Sequence, residues 1–136
     1  MENKDYFMRE IEKIGTVLRA IINSLTGKKE NLAITLENPF EETRELLYNE
    51  TGFDLGKFLI MDEAASGDYI AQFKGINAEN LELLAEITFQ SGMSGAYETR
   101  KVFLEKALQL YEFSNRKDKT FSIERENKME MIRKAL

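Results

Sequence analysis

Carboxylates are the only side chains in this sequence whose number and spacing could support metal or acid–base chemistry. Glu79, Glu82 and Glu86 recur at steps of three and four, which places them on one helical face, and Glu41 and Glu45 share a face in the same way. Helical bundles that hold two metal ions between such glutamates complete their ligand sets with Glu-x-x-His, and this chain of 136 residues contains no histidine. It has no cysteine and no D-x-D-x-D-G calcium loop. The two absences together exclude Cys/His zinc sites, Ser-His-Asp and Cys-His catalysis, His-ligated haem and intrachain disulfides. The acidic faces therefore read as solvated surface. No metal or cofactor is expected, and spacing singles out no catalytic residue.

Two other chemistries fail on pattern. Gly92-Met93-Ser94-Gly95 matches neither phosphate-binding glycine loop and reads as a helix stop followed by a turn. Arg116, Lys117, Lys119, Arg125, Lys128, Arg133 and Lys134 suggest nucleic acid, but Asp118, Glu124, Glu126 and Glu130 are interleaved with them. A duplex-binding face needs basic charge that outweighs its surroundings, so nucleic acid is disfavoured. The formal net charge is −5, and it is unevenly spread: residues 1–29 carry +2, residues 30–99 carry −11 and residues 100–136 carry +4. In a compact chain the basic ends would pack beside the acidic middle and neutralise it. The alternative is that they face a partner.

The elements that must position these residues are helices. There is one proline, the glycines fall mostly between apolar-periodic runs, and no segment sustains alternation of period two. The spacing predicts a first helix from Asn3 or Asp5 to Thr26, stopped by Gly27. Along it Phe7, Ile11, Ile14, Leu18, Ile21 and Leu25 form a heptad seam, whose partner is another helix of this chain or the same helix of a second copy. A weaker run follows through Leu32, Ile34 and Leu36. Asn38-Pro39 then starts a helix to Thr51, with Glu41 and Glu42 at its positive end and Gly52 as stop.

Phe53-Asp54 announces a helix reaching about Ala64, with Phe53 and Phe58 as a hydrophobic staple. Ser66-Gly67-Asp68 reads as a break before a short helix through Tyr69, Ile70 and Phe73 that ends at Gly75. Ile76-Asn77 repeats the staple and cap. Leu81, Leu84, Ala85 and Thr88 then line one side of a helix to Ser91, with Gly92 as its stop. A long helix from Tyr97 to Ser114 carries Leu104, Ala107, Leu108 and Tyr111, widened by Phe103 and Leu110. Val102 and Phe113 point away from that stripe and are candidate partner contacts if exposed. Ser122 caps a last helix to Leu136, striped by Met129, Ile132 and Leu136. The longest aliphatic and aromatic run, Phe58 to Met61, is too short for a membrane span, and the chain is expected in the cytoplasm.

Leu84-Ala85, the Ala107 and Tyr111 pair and the Lys-Asp-Lys turn before Ser122 resemble a tetratricopeptide-type helical hairpin followed by a capping helix. Only one unit is present, and the repeat's leading aromatic and closing proline are absent. The segments Asp5 to Glu12 and Asn80 to Glu86 are similar to those of an uncharacterised group of small all-helical bacterial proteins. That resemblance implies one integrated helical domain and carries over no activity or site residue.

The expectation is an all-α, single-domain bundle of six or seven helices: a heptad-patterned helix over 1–27, short helices over 28–75, and a hairpin plus cap over 76–136. Its expected role is a non-enzymatic protein–protein interaction or scaffolding module, with a homodimer through the Phe7-to-Leu25 seam. A small-ligand-binding or enzymatic bundle is the first alternative, and a nucleic-acid-associated accessory protein the second.

Overall fold

Seven helices account for most of the described residues, which in the computed structural model are 2–27, 39–119 and 121–136. They are α1 (Glu2–Leu25), α2 (Pro39–Thr51), α3 (Leu55–Leu59), α4 (Glu63–Ala71), α5 (Ala78–Ser94), α6 (Tyr97–Asp118) and α7 (Ile123–Ala135). No strand occurs among the described residues, and none of the helices is long and apolar enough to cross a membrane. The run through Leu32, Ile34 and Leu36 and the cap at Asn38 lie outside the described residues.

The helix starts follow the sequence's capping chemistry. Asp54, Asp62, Asn77 and Ser122 each accept a hydrogen bond from the backbone N–H three residues on, satisfying a donor that the first helical turn leaves free. Gly27 and Gly52 take positive φ of 70° and 81° just after α1 and α2, a conformation that a Cβ disfavours. Lys119 ends α6 in the same left-handed region at φ 58°.

The centre is the antiparallel pair α5 and α6. At one end Ser114 Oγ donates to the Ala78 carbonyl at 2.9 Å. At the other, Gly92 meets Phe103 so closely that a Cβ on Gly92 would lie 2.5 Å from the Phe103 Cβ. Between them Leu81, Leu84, Ala85 and Ile87 pack with Leu104, Ala107, Leu110 and Tyr111. Burying each leucine side chain stabilises by about 2 kcal/mol. Around this pair, α1 lies against α5 through Ile14, Leu18 and Ile21, α7 lies on α6 through Met129 and Ile132, and α2 lies beside α1. Phe53, Phe58, Tyr69 and Phe73 form a ring cluster under α3 and α4, with centroids 5.2–5.4 Å apart between neighbouring rings.

Several expected boundaries are corrected, and the helix expected to end at Gly75 is α4, which ends at Ala71. Ser66 and Gly67 do not break the chain but lie inside α4. Ser66 is buried as an acceptor for Lys106 of α6, and Gly67 is carried within the helix that Asp62 caps. Gly92 does not stop α5, which continues to Ser94, leaving only Gly95 and Ala96 as the connection to α6. The helix expected to reach Ala64 ends at Leu59, because Asp62 caps a new one. α6 continues past Ser114 to Asp118, and Leu136, expected on the buried stripe of the last helix, is exposed beyond its end.

Candidate functional site

The glutamates read as a solvated face form one wall of a cleft. Glu79, Glu82, Leu83 and Glu86 of α5 stand opposite Glu124, Arg125 and Lys128 of α7, with Ile22 of α1 at one side and Tyr111 of α6 also lining it; the cleft volume is 330 Å³. It exists because α7 covers α6 but is held off α5 by polar side chains, not by apolar ones.

Arg125 is the hub of that spacing. Although its side chain is only 4% exposed, Nε donates to Glu82 Oε1 at 3.0 Å and Nη2 to Asp118 Oδ2 at 2.8 Å. Nη1 donates to Asn115 Oδ1 at 2.8 Å and to Asp118 Oδ1 at 3.3 Å. The two carboxylates, Asp118 foremost, hold the guanidinium firmly in its charged form and raise its pKa against the cost of burial. Such a bidentate pair fixes a planar group in one orientation, so Arg125 locks α7 to both α5 and the end of α6. Further along, Lys128 Nζ donates to Glu86 Oε1 at 2.9 Å, and Gln90 Nε2 donates to the other oxygen of Glu86 at 2.8 Å. Among the described residues Glu79 has Arg19 as its ion-pair partner, at 4.0 Å, with both side chains mostly exposed. Glu124 is exposed and makes no ion pair among the described residues.

Tyr111 differs from its neighbours in the cleft. It is 3% exposed, yet its hydroxyl makes no hydrogen bond with any described residue. Burial, with the negative charges of Glu86 and Glu82, pushes its pKa well above the ordinary 10.0, so it stays a neutral phenol able to donate and accept. Among the described residues no group of three or more carboxylates is arranged to hold a metal ion.

A second buried cation lies on the far side of α6. Lys106, 7% exposed, donates from Nζ to the Met61 carbonyl at 2.6 Å, to Ser66 Oγ and to Gln109 Oε1 at 3.0 Å. Its ammonium also lies 4.6 Å from the centre of the Phe58 ring. Burial lowers its pKa from 10.5, opposed by the charges of Asp62 and Glu63. All three protons have acceptors, which describes a clamp joining α6 to α3 and α4.

The residues expected at interfaces are divided by the fold. Ile14, Leu18 and Ile21 of the seam are buried within the chain, Ile11 and Leu25 are half-buried, and Phe7 is exposed. Val102 is 44% exposed, but Phe113 is 9% exposed, lying near Gly67 of α4 with the Arg116 guanidinium 5.0 Å from its ring centre. The two do not form a shared exposed patch. The basic ends reach the acidic middle: Arg19 approaches Glu79, Arg116 pairs with Glu63 at 3.2 Å, Arg125 with Glu82 and Lys128 with Glu86. Neither Tyr111 nor Arg125 stood out in the sequence as a site residue. A signal was present for Arg125, which precedes Met129 and Ile132 by four and seven positions on the buried stripe. In comparisons with protein-family models, curated proteins and solved structures, nothing matches this chain.

Proposed function

We propose that this chain is a non-enzymatic protein–protein interaction module of the cytoplasm, and that it engages its partner through the first turns of α1. The observation that carries this reading is the exposure of Tyr6, Phe7 and Met8 on a helix whose later seam residues Ile14, Leu18 and Ile21 are buried within the chain. Cover begins at Glu10 and Ile11. Gly75 abuts the Glu10 carbonyl so closely that a Cβ there would sit 2.9 Å away, and buried Asn80 donates to the Ile11 carbonyl at 3.0 Å. Before that point three consecutive apolar side chains stand exposed and span about 200° of the helix circumference, apolar surface that a partner could cover. A second copy of the chain is the simplest partner that could cover it, using Phe7 and Ile11 where the buried Ile14, Leu18 and Ile21 are already occupied.

The α5–α6 hairpin supports the same role. Small Ala85, Gly92 and Ala107 allow close helix approach and Tyr111 fills the next gap, as in a tetratricopeptide-type unit with α7 as its cap. This likeness of form is an associational argument for binding and not for any one partner. The buried cations also support a non-catalytic role, since Lys106 and Arg125 are held by internal acceptors.

Light scattering at micromolar concentration, combined with affinity purification from the native cell, tests the proposal. A mass above 15.8 kDa, or a co-purifying protein, that is lost in Phe7→Asp with the melting temperature unchanged is the expected outcome. A 15.8 kDa species whose co-purifying proteins are the same with and without Phe7→Asp overturns it.

A further inference from the structure

The cleft between α5 and α7 is independent of the α1 face, and its chemistry is specific enough to name a ligand class. Four carboxylates line it, those of Glu79, Glu82, Glu86 and Glu124, against the two cations of Arg125 and Lys128, which leaves an excess of negative charge. An acidic cluster alone would be ordinary surface. What sets this one apart is Tyr111: a side chain 3% exposed that lines the cleft and whose hydroxyl has no partner among the described residues. The ring is enclosed while the hydroxyl keeps a small contact with solvent, so water is its partner there and a ligand that hydrogen-bonds it could take that water's place.

The cleft is mixed in character. Ile22, Leu83 and the Tyr111 ring give it an apolar side, and the carboxylates give it an anionic one. Glu79 and Glu86 are about 10 Å apart along α5, at 1.5 Å rise per residue. Charge is therefore spread along a wall and not gathered at a point, which disfavours a bare metal ion and suits a cation on a flexible stem. The chain itself supplies an example: the Lys128 ammonium, on its own aliphatic stem, already rests on Glu86 at 2.9 Å.

We propose that this cleft binds an alkylammonium, its aliphatic stem against Ile22 and Leu83 and its ammonium donating to the Tyr111 hydroxyl, with Glu124 and the loosely paired Glu79 supplying the negative charge. The phenol then accepts from the ammonium while its own proton is free to donate to a carboxylate. Lys128 borders the bound cation and competes with it for Glu86.

The test is calorimetric titration of the full chain with two probes. Cadaverine, a free linear diamine, and Nα-acetyl-lysine amide, a surrogate for a lysine within a peptide, carry the same ammonium on different bodies. Saturable one-to-one binding of either probe, weakened by added salt, is expected, and the tighter of the two identifies the source as free amine or peptide lysine. Tyr111→Phe removes a hydroxyl that the fold does not use, so it should keep the melting temperature while weakening binding by about fivefold. Glu79→Gln and Glu124→Gln, both at exposed positions, should each weaken it by about two- to fivefold. Lys128→Gln, which frees Glu86, should tighten it. Failure of both probes to saturate overturns the proposal, as does binding that Tyr111→Phe leaves unchanged, or a response to magnesium in place of the amines. None of these outcomes bears on the α1 face, whose test reads mass and co-purification.

Discussion

Lys106 and Arg125 are both cations withdrawn from solvent, on opposite sides of the same α5–α6 pair, but their partners differ in kind. Lys106 meets neutral oxygens, those of the Met61 carbonyl, Ser66 and Gln109. Arg125 meets two carboxylates, Glu82 and Asp118, and the amide oxygen of Asn115. The pKa directions follow from this difference: burial dominates at Lys106 and lowers it, while the carboxylate bonds dominate at Arg125 and raise it. The lysine is thus a tether inside packed structure, tolerated because each of its protons finds an acceptor. The arginine is the centre of a charged network that stands between two helices and leaves a cleft beside it.

Removing each cation should expose the contrast. Arg125→Met keeps bulk and an apolar stem but leaves Glu82 and Asp118 facing each other with no guanidinium between them. Their side chains are 33% and 30% exposed, so water offsets part of the loss. The expected destabilisation is about 2–4 kcal/mol, at or just under the range for breaking a fully buried pair. Urea unfolding of Arg125→Met, Glu82→Gln and the double variant checks this. If the coupling between the two positions is below about 0.5 kcal/mol, the network is ornamental and the comparison with Lys106 loses its basis.

Lys106→Met should cost less, about 1–2 kcal/mol, because the partners left behind are neutral and the new side chain retains the contact with Phe58. The loss should be concentrated in α3 and α4. Amide hydrogen exchange is the discriminating measurement, with faster exchange expected over α4 and unchanged protection at the centre of α5. Uniform loss of protection would mean that Lys106 supports the whole bundle and not one edge of it.

The comparison also shows where sequence reasoning reaches. Helices announced by a local signal were legible. Asp54, Asn77 and Ser122 cap the helices expected of them, and Gly27 and Gly52 follow the ends expected of α1 and α2. These interactions span three or four residues, so the sequence contains both partners at known spacing. Gly92 was misread because its role is to admit Phe103 from α6, and the reason for a small residue then lies elsewhere in the chain. The site is the extreme case. Its bonds join Arg125 to Glu82 across 43 residues and Lys128 to Glu86 across 42, and no local periodicity reports such pairings. The same distance explains the charge pattern: an acidic middle and basic ends are what a chain needs if the ends fold back onto the middle.

The smallest effect near neutral pH, and the sharpest contrast in alkali, belongs to Tyr111. Its hydroxyl has no partner among the described residues, so Tyr111→Phe should change stability by less than about 1 kcal/mol, and toward greater stability if at all. Above neutrality the two sides of α6 pull in opposite directions. Between the lowered folded-state pKa of Lys106 and its ordinary 10.5, the unfolded chain binds the proton more readily, so this group makes stability rise with pH across that window. Tyr111 is raised above its ordinary 10.0, so past that point the folded chain keeps a proton that the unfolded chain has released. Its contribution is fully present below 10.0 and is lost as pH rises toward the folded value. Arg125, raised from a value already beyond this range, stays charged throughout and contributes no slope. Urea midpoints measured from neutral pH upward should therefore fall less steeply above pH 10 in Tyr111→Phe, and lose their rise below 10.5 in Lys106→Met. Should Tyr111→Phe leave the alkaline limb unchanged, burial does not govern the phenol's proton, and the contrast in alkali between the two sides of α6 is lost.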